Sequence, residues 1–401
     1  MSQTVTSQQF VKVSPAQVYF ALTHSIQLHD WLCDFASVQP QPGGRMYLYW
    51  HGNFFSAGEY LELEENKLVK FRWFSRIDPA PTEVTVTLEE QKAGTQVTLV
   101  HEVPDGDDWK QRAAGFKDNW DSTLPNLAHM LETGLDQRVY DRPMLGIQIS
   151  DFNEDIAKRM GVPVVVGQRL DSPVEEMGAY KAGLRKDDVI VRFDGKPITN
   201  DFGSLITALQ GKKGGDSVQV EFYRGPEKKT VTMELSRRPV PQIPEKPADL
   251  ARQVRAKYDE ALSALDQALA GAGAAETDRR PAAGEWSANE VLAHLIHTER
   301  NFSANIEDAV GGFERLSDDF GGNVDAHVRA TVAAYKTTAG LVDELKRQVD
   351  EVVFFLAELP AEFVARKSCY LAIGNGAING NPGHILSHVE QIKAALQAAR
   401  K

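Results

Sequence analysis

The chain has 401 residues, of which 42% are hydrophobic and 25% charged, and its formal net charge is −12. That length is too great for one ordinary hydrophobic core and predicts roughly two to three domains. The composition excludes a disordered chain, and the acidic balance excludes a nucleic-acid footprint, which needs clustered Lys and Arg.

The two cysteines, Cys33 and Cys369, fall in different predicted domains, so a disulfide framework is not expected. Reduced thiols follow, with Cys369 read as a small buried hydrophobe rather than a reactive group. The opening MSQTVTSQQFVKVSPAQ lacks a basic stretch followed by an apolar run. No segment reaches the roughly 18–20 apolar residues of a membrane span. A cytoplasmic location is therefore expected. Two breaks divide the chain: the charged run DQRVYDRP at 136–143, and RRPVPQIPEKP at 237–247, with four prolines in eleven residues. Proline stops a helix and withholds a sheet donor, so residues 239–247 read as an extended linker.

Residues 1–137 open with a strand (VTSQQFVKV), a turn at Ser14-Pro15 and one helix, AQVYFALTHSIQLHDWL. Strands are predicted at RMYLYW, SAGEYLELEENKLVKFRWF, EVTVTLEEQ and TQVTLVHEV from their period-2 alternation. A long amphipathic helix, WKQRAAGFKDNWDSTLPNLAHMLETG, closes the segment. A curved antiparallel sheet gripping that helix leaves a cavity between them. The element order resembles the START-like (SRPBCC) helix-grip superfamily, in the branch named for the heat-shock-protein ATPase activator. The resemblance is carried by the Ser-Pro-Ala-Gln-Val-Tyr opening, Gly43-Gly44, Gly58-Glu59-Tyr60-Leu61, and Trp120 with Leu124 and Leu127. It implies an apolar pocket for a hydrophobic small molecule, here lined by Trp31, Tyr47, Trp73, Phe116 and Trp120. The alternative is that these aromatics fill an ordinary core.

Residues 142–238 carry the runs Met144-Leu145-Gly146-Ile147, Ala182-Gly183-Leu184 and Asp188-Val189-Ile190, through which they resemble a bacterial PDZ domain of the kind attached to proteases. Met144-Leu145-Gly146-Ile147 matches the family's peptide-carboxylate loop, and Ala182-Gly183-Leu184 with Asp188-Val189-Ile190 matches the run that follows. Lys186-Asp187 departs from the family's usual Gly, at a turn outside the groove. The resemblance implies that a partner's C-terminal peptide pairs with the strand edge beside Gly146. The alternative is a spacer. No Gly-x-Ser-x-Gly motif accompanies the domain, which excludes a protease reading.

Residues 248–401 read as an all-α four-helix bundle. DLARQVRAKYDEALSALDQALAGAG places Leu250, Val254, Tyr258, Leu262, Leu265 and Leu269 on one face. Ser287 reads as the N-cap of ANEVLAHLIHTERNFSANIEDAV. A third helix is predicted over VDAHVRATVAAYKTTAGLVDELKRQ, a glycine- and asparagine-rich loop over SCYLAIGNGAINGNPG, and a last helix from Pro382. His384 and His388, one turn apart, project from one face of that last helix, and His294 lies on an earlier one. This is the spacing of a metal site.

The bundle resembles the DinB/YfiT-like family through Gly284-Glu285-Trp286-Ser287, Glu290-Val291-Leu292-Ala293-His294-Leu295, and His384-Ile385-Leu386-Ser387-His388. The resemblance implies that His294, His384 and His388 hold a divalent metal, zinc or nickel, unless the site is vestigial. It also implies metal-dependent transferases that use low-molecular-weight thiols. Glu299 is a candidate base or supporting residue, with an exposed helix glutamate as the alternative. His297 is a possible substitute ligand, and His327 falls outside both motifs. The expected architecture is therefore multidomain: an α+β helix-grip domain, a β-rich PDZ domain and a four-helix bundle. The expected function is a small-molecule-binding, metal-dependent protein with a PDZ peptide-binding module, read as a thiol-dependent transferase acting on hydrophobic or electrophilic compounds. The competing expectation is a non-enzymatic adaptor or sensor that recruits a peptide.

Overall fold

A computed structural model of the chain describes residues 2–315 and 324–400. They form two compact units. One joins the chain up to Asp136 with the chain from Pro241 onward, and the other is Gln137–Val240. No helix among the described residues is long and apolar enough to cross a membrane.

The first unit begins with an antiparallel sheet of β1 (Ser2–Val11), β2 (Phe35–Val38), β3 (Arg45–Trp50), β4 (Phe54–Glu64), β5 (Leu68–Ser75), β6 (Thr82–Gln91) and β7 (Gly94–Pro104). The strand order is β1-β7-β6-β5-β4-β3-β2. Burial alternates along β6, with Thr82, Val84, Val86 and Leu88 inward, as one packed face requires. The register slips between Tyr60 and Glu62, a bulge that bends the sheet. Across it lies α3 (Asp107–Thr133), which buries Trp120, Leu124, Leu127 and Leu131 on one stripe.

Two elements expected here as single pieces are divided. The expected first helix is α1 (Pro15–Thr23) and α2 (Ser25–Trp31), separated by His24 in an extended conformation. The expected second strand is the hairpin β4–β5, turned at Asn66 with φ +61°. Asparagine tolerates that left-handed backbone, so alternation continues on both sides of a turn that the pattern alone conceals.

The helical part of this unit comprises α8 (Pro247–Leu269), α9 (Ala274–Asp278), α10 (Ala288–Gly311), α11 (Asp325–Tyr335), α12 (Thr338–Ala357), α13 (Ala361–Ala365), α14 (Lys367–Asn375) and α15 (Asn381–Ala399). The long helices α8, α10, α12 and α15 form the bundle. Ser287 caps α10: its hydroxyl accepts from Glu290 N–H at 3.2 Å, and the Glu290 carboxylate accepts from Ser287 N–H at 2.9 Å. The single third helix expected from the sequence is α11 and α12. Lys336 takes φ +64°, and Thr337 restarts the chain as an N-cap accepting from Gly340 N–H at 3.0 Å. The expected loop over SCYLAIGNGAINGNPG is helical throughout: α14 passes through one π-turn, Gly376–Gly380, directly into α15.

The sheet part and the helical part pack against each other. The Arg366 guanidinium donates to the last carbonyls of α10, Ala309 at 3.1 Å and Val310 at 2.7 Å, and lies 4.4 Å over the Phe20 ring of α1. The Gln27 amide on α2 donates to Ser368 Oγ at 2.7 Å. Gly134, at φ +84°, ends α3 where a Cβ would stand 2.9 Å from the backbone carbonyl carbon of Lys367 at the start of α14, and the left-handed backbone with that close approach favours glycine.

The second unit holds a sheet in the order β13-β12-β10-β9-β8, from β8 (Ile147–Ser150), β9 (Gln168–Pro173), β10 (Val189–Phe193), β12 (Ser217–Arg224) and β13 (Glu227–Glu234). The short β11 (Lys196–Pro197) pairs with β10. Four helices accompany it: α4 (Gln137–Tyr140), α5 (Glu154–Met160), α6 (Gly178–Lys181) and α7 (Gly203–Leu209). Its core is built on Leu170, Leu184, Phe193, Leu205, Val220 and Phe222.

Candidate functional site

His294 sits in the second turn of α10, and His384 and His388 in the first two turns of α15. Their imidazoles converge. His384 Nε2 is 2.9 Å from His388 Nε2 and 3.3 Å from His294 Nε2. Nitrogens bound tetrahedrally to zinc at about 2.0–2.1 Å stand about 3.3 Å apart, so the three fit a single ion. Among the described residues this cluster has three donors, all within 4.8 Å of one another. The Trp286 ring packs 5.1 Å from that of His294 and walls the site with apolar surface.

Protonation favours the ligand form. Burial, then the neighbouring His388 and His294, hold the His384 ring at about 4, so it is neutral at physiological pH. His388 Nδ1 lies 2.6 Å from Gln391 Oε1. The amide oxygen can only accept, which puts the proton on Nδ1 and the Nε2 lone pair toward the cluster. His297 points elsewhere: its Nε2 meets Thr331 Oγ1 at 2.9 Å, and its ring lies 3.5 Å from that of His327. It is not a substitute ligand in this arrangement.

Glu299 is not an exposed helix residue; it is 1% exposed. Its Oε2 accepts from the Tyr258 hydroxyl at 2.6 Å and from Asn381 Nδ2 at 3.2 Å, while Oε1 is buried without a hydrogen-bond partner. Burial pushes the carboxyl up to about 7 against the lowering effect of those two bonds. Glu299 stands outside the three-histidine cluster.

Between the sheet and α3 lies a cavity of about 310 Å³, and Trp73, Phe116 and Trp120 line it. Two residues expected there are placed elsewhere. Trp31 is packed in the core, 1% exposed, with its indole N–H donating to Ala21 O at 3.0 Å. Tyr47 is 38% exposed on the outer face of the sheet, because the alternation of β3 turns Met46 and Leu48 inward and Tyr47 outward. Leu32, Trp50 and Phe54, with the polar Asn119 and Thr123 of α3, complete the wall and escaped the sequence reading. The parity of β3 was the available signal for Trp50, which shares the register of Leu48. A chain of hydrogen bonds braces the cavity. Trp120 Nε1 donates to His101 Nδ1 at 3.2 Å, His101 Nε2 lies 2.7 Å from Thr82 Oγ1, and Thr82 Oγ1 donates to Trp73 O. Burial lowers the His101 ring to about 4, which keeps it neutral and able to accept from Trp120.

In the second unit, Met144 pairs with Ser236 through both backbone bonds, at 2.8 and 3.0 Å. Leu145 is buried, Gly146 takes φ +68°, and Ile147 starts β8, the terminal strand of the sheet. A Cβ on Gly146 would stand 2.3 Å from Met177 Cβ. Among the described residues the N–H groups of Leu145 and Gly146 have no hydrogen-bond acceptor. Two free donors beside an open strand edge suit an anionic chain end.

Three family models match consecutive parts of the chain. Residues 12–132 match the family described as Activator of Hsp90 ATPase homolog 1-like protein, 143–235 the PDZ domain, and 257–392 the DinB superfamily. Separate parts of the chain are thus similar to three families, in that order, and none of the matches spans half of it. The histidine cluster falls inside the DinB match and Met144–Ile147 inside the PDZ match.

Among curated proteins, a probable periplasmic serine endoprotease DegP-like of Pseudomonas fulva is 33% identical over 100 residues, 24% of this chain and 20% of that one. The periplasmic pH-dependent serine endoprotease DegQ of Escherichia coli is 30% identical over 97 residues, 24% and 21% respectively. The chain thus spans about a fifth of the length of these relatives. The solved Aha1 dimer of Colwellia psychrerythraea is 22% identical, covers 32% of this chain and 96% of its own, and has a TM-score of 0.30. The protein MLL2253 of Mesorhizobium loti is 23% identical, covering 32% and 97%, with a TM-score of 0.30.

Proposed function

We propose that the protein is a metal-dependent transferase that joins a low-molecular-weight thiol to a hydrophobic electrophile. The observation that carries this reading is the convergence of His294, His384 and His388 on one point, with three donors among the described residues. Zinc or nickel suits such an imidazole set. Bound there, the ion would hold a thiol as its thiolate, the nucleophilic form, at neutral pH. The residues supply the rest. His388 keeps its lone pair on the site through Gln391, His384 stays neutral, and Trp286 keeps the wall apolar. In this reading the cavity at Trp73, Phe116 and Trp120 captures the hydrophobic substrate. The PDZ region recruits a partner by its C-terminal peptide, supported by the free N–H groups at Leu145 and Gly146. A cytoplasmic setting completes the proposal, consistent with the free thiols of Cys33 and Cys369.

The test is metal analysis of purified full-length protein, followed by turnover assays with a panel of small thiols and aromatic electrophiles. The expected result is about one zinc or nickel per chain, and thiol consumption that a chelator abolishes and the ion restores. Thiol consumption that persists in His384→Ala would reject the transferase reading. A metal-replete protein inert toward every thiol would favour the adaptor.

A further inference from the structure

We propose that Glu299 is a positioning residue: with Tyr258 and Asn381 it locks the rotation of α15, and thereby aims His384 and His388 at His294. The inference rests on the metal-centre reading and adds to it the device that builds the centre.

The argument begins with the π-turn. The helix from Lys367 runs through Gly376–Gly380 into α15. A π-turn places one extra residue in the hydrogen-bonded ladder, and each α-helical residue turns about 100°, so everything after it is rotated by about that angle. Whether His384 and His388 face α10 therefore depends on how this turn closes. Its five residues include Gly376 and Gly380, which leave its closure soft, while Ala377 and Ile378 pack it against the bundle without fixing a polar contact to α10.

Asn381 is the first residue beyond the turn. His384 and His388 follow at i+3 and i+7, on the same face. The Asn381 side chain donates to Glu299 Oε2 at 3.2 Å, and that same oxygen accepts from the Tyr258 hydroxyl at 2.6 Å. Three helices, α8, α10 and α15, are thus pinned at one atom. Tyr258 is 0% and Glu299 1% exposed, so the anchor is deep in the bundle. An apolar residue would pack that position at less cost than a carboxyl with Oε1 unpartnered. Packing alone does not account for the glutamate, whereas aiming a helix face does.

The full chain is tested as Glu299→Ala, Asn381→Ala and Glu299→Gln, with circular dichroism and melting to check the fold. Zinc affinity is read by chelator competition, coordination by the visible spectrum of the cobalt-substituted protein, and helix order by amide hydrogen exchange over residues 381–388 without metal. Glu299→Ala and Asn381→Ala should bind zinc about 10–100-fold more weakly, with an altered cobalt spectrum and faster exchange. Glu299→Gln should stay within about threefold of wild type, because its amide oxygen still accepts both bonds. Wild-type affinity and exchange in Asn381→Ala would overturn the proposal. So would equal losses in Glu299→Gln and Glu299→Ala, which would point to charge instead of aim. A wild-type protein that binds no ion would overturn the metal centre itself. The exchange comparison then decides the lock independently, and unchanged exchange in Asn381→Ala would end it.

Discussion

The two histidines on α15 are held differently. His388 has its Nδ1 fixed by Gln391, while His384 Nδ1 is buried without a hydrogen-bond partner. Orientation at His388 is therefore local to one helix, and the supporting amide should matter. Gln391→Ala is expected to weaken metal binding about tenfold, whereas His384→Ala or His388→Ala should lose most of the metal. Elemental analysis with competition titration measures both, and equal metal in wild type and the double histidine variant would reject the site. Gly146 sets a second residue-scale expectation. Alanine there meets Met177 and a left-handed backbone that costs a side chain about 1–2 kcal/mol. Gly146→Ala should lower the melting temperature of its unit and abolish peptide binding in a calorimetric titration. At this scale the histidine spacing was readable because i and i+4 share a helix face. Tyr47 was misread because its aromatic character was weighed above the parity of its strand.

Among the elements, β8 carries the clearest functional expectation. As the terminal strand beside two free N–H donors, it should bind peptides with a free C-terminal carboxylate at about micromolar affinity, near −8 kcal/mol. Amidated versions of the same peptides should bind at least tenfold more weakly by fluorescence polarisation, and equal affinities would leave the domain a spacer. The order and type of the three regions were legible because period-2 strands, a proline-rich break and amphipathic helices differ in pattern. Continuity was not. The glycines and asparagines of residues 368–383 favour turns, yet the segment is helical because Tyr370, Ile373, Ala377 and Ile378 bury against the bundle. Conversely, the helical pattern over 324–348 conceals the break at Lys336, whose left-handed backbone has no marker such as glycine.

At the scale of the molecule, the helix-grip and bundle regions form one unit whose seam is polar as well as apolar. Asp30 lies in it, bonded by Gln27 at 2.9 Å, and burial pushes its carboxyl up to about 6. The Ser368 hydrogen bond and His29 oppose that rise, and Glu314 and Asp136 add to it. A raised carboxyl favours the folded state while protonated. That stability is fully present below the unfolded value near 4 and is lost as pH rises through about 6. Asp30→Asn should therefore match wild type in acid and exceed it above about pH 7 by on the order of 2–3 kcal/mol. Denaturant melts at several pH values measure this, and parallel curves would show that Asp30 does not couple the seam to pH.

The same seam joins Gln27 to Ser368 across 341 residues of sequence. A ribosome adding roughly 5–20 residues per second needs about ten to fifty seconds to pass from Asp136 to Arg366. During that interval the nascent helix-grip region carries Phe20 and Ile26 without their full cover, while Gln137–Val240 gains its last core residues well before Arg366 is made. Synthesis thus completes the unit inserted in the sequence before the one whose two segments flank it in the sequence. A chaperone that shields apolar surface on growing chains should engage this protein before α14 emerges and release it afterwards.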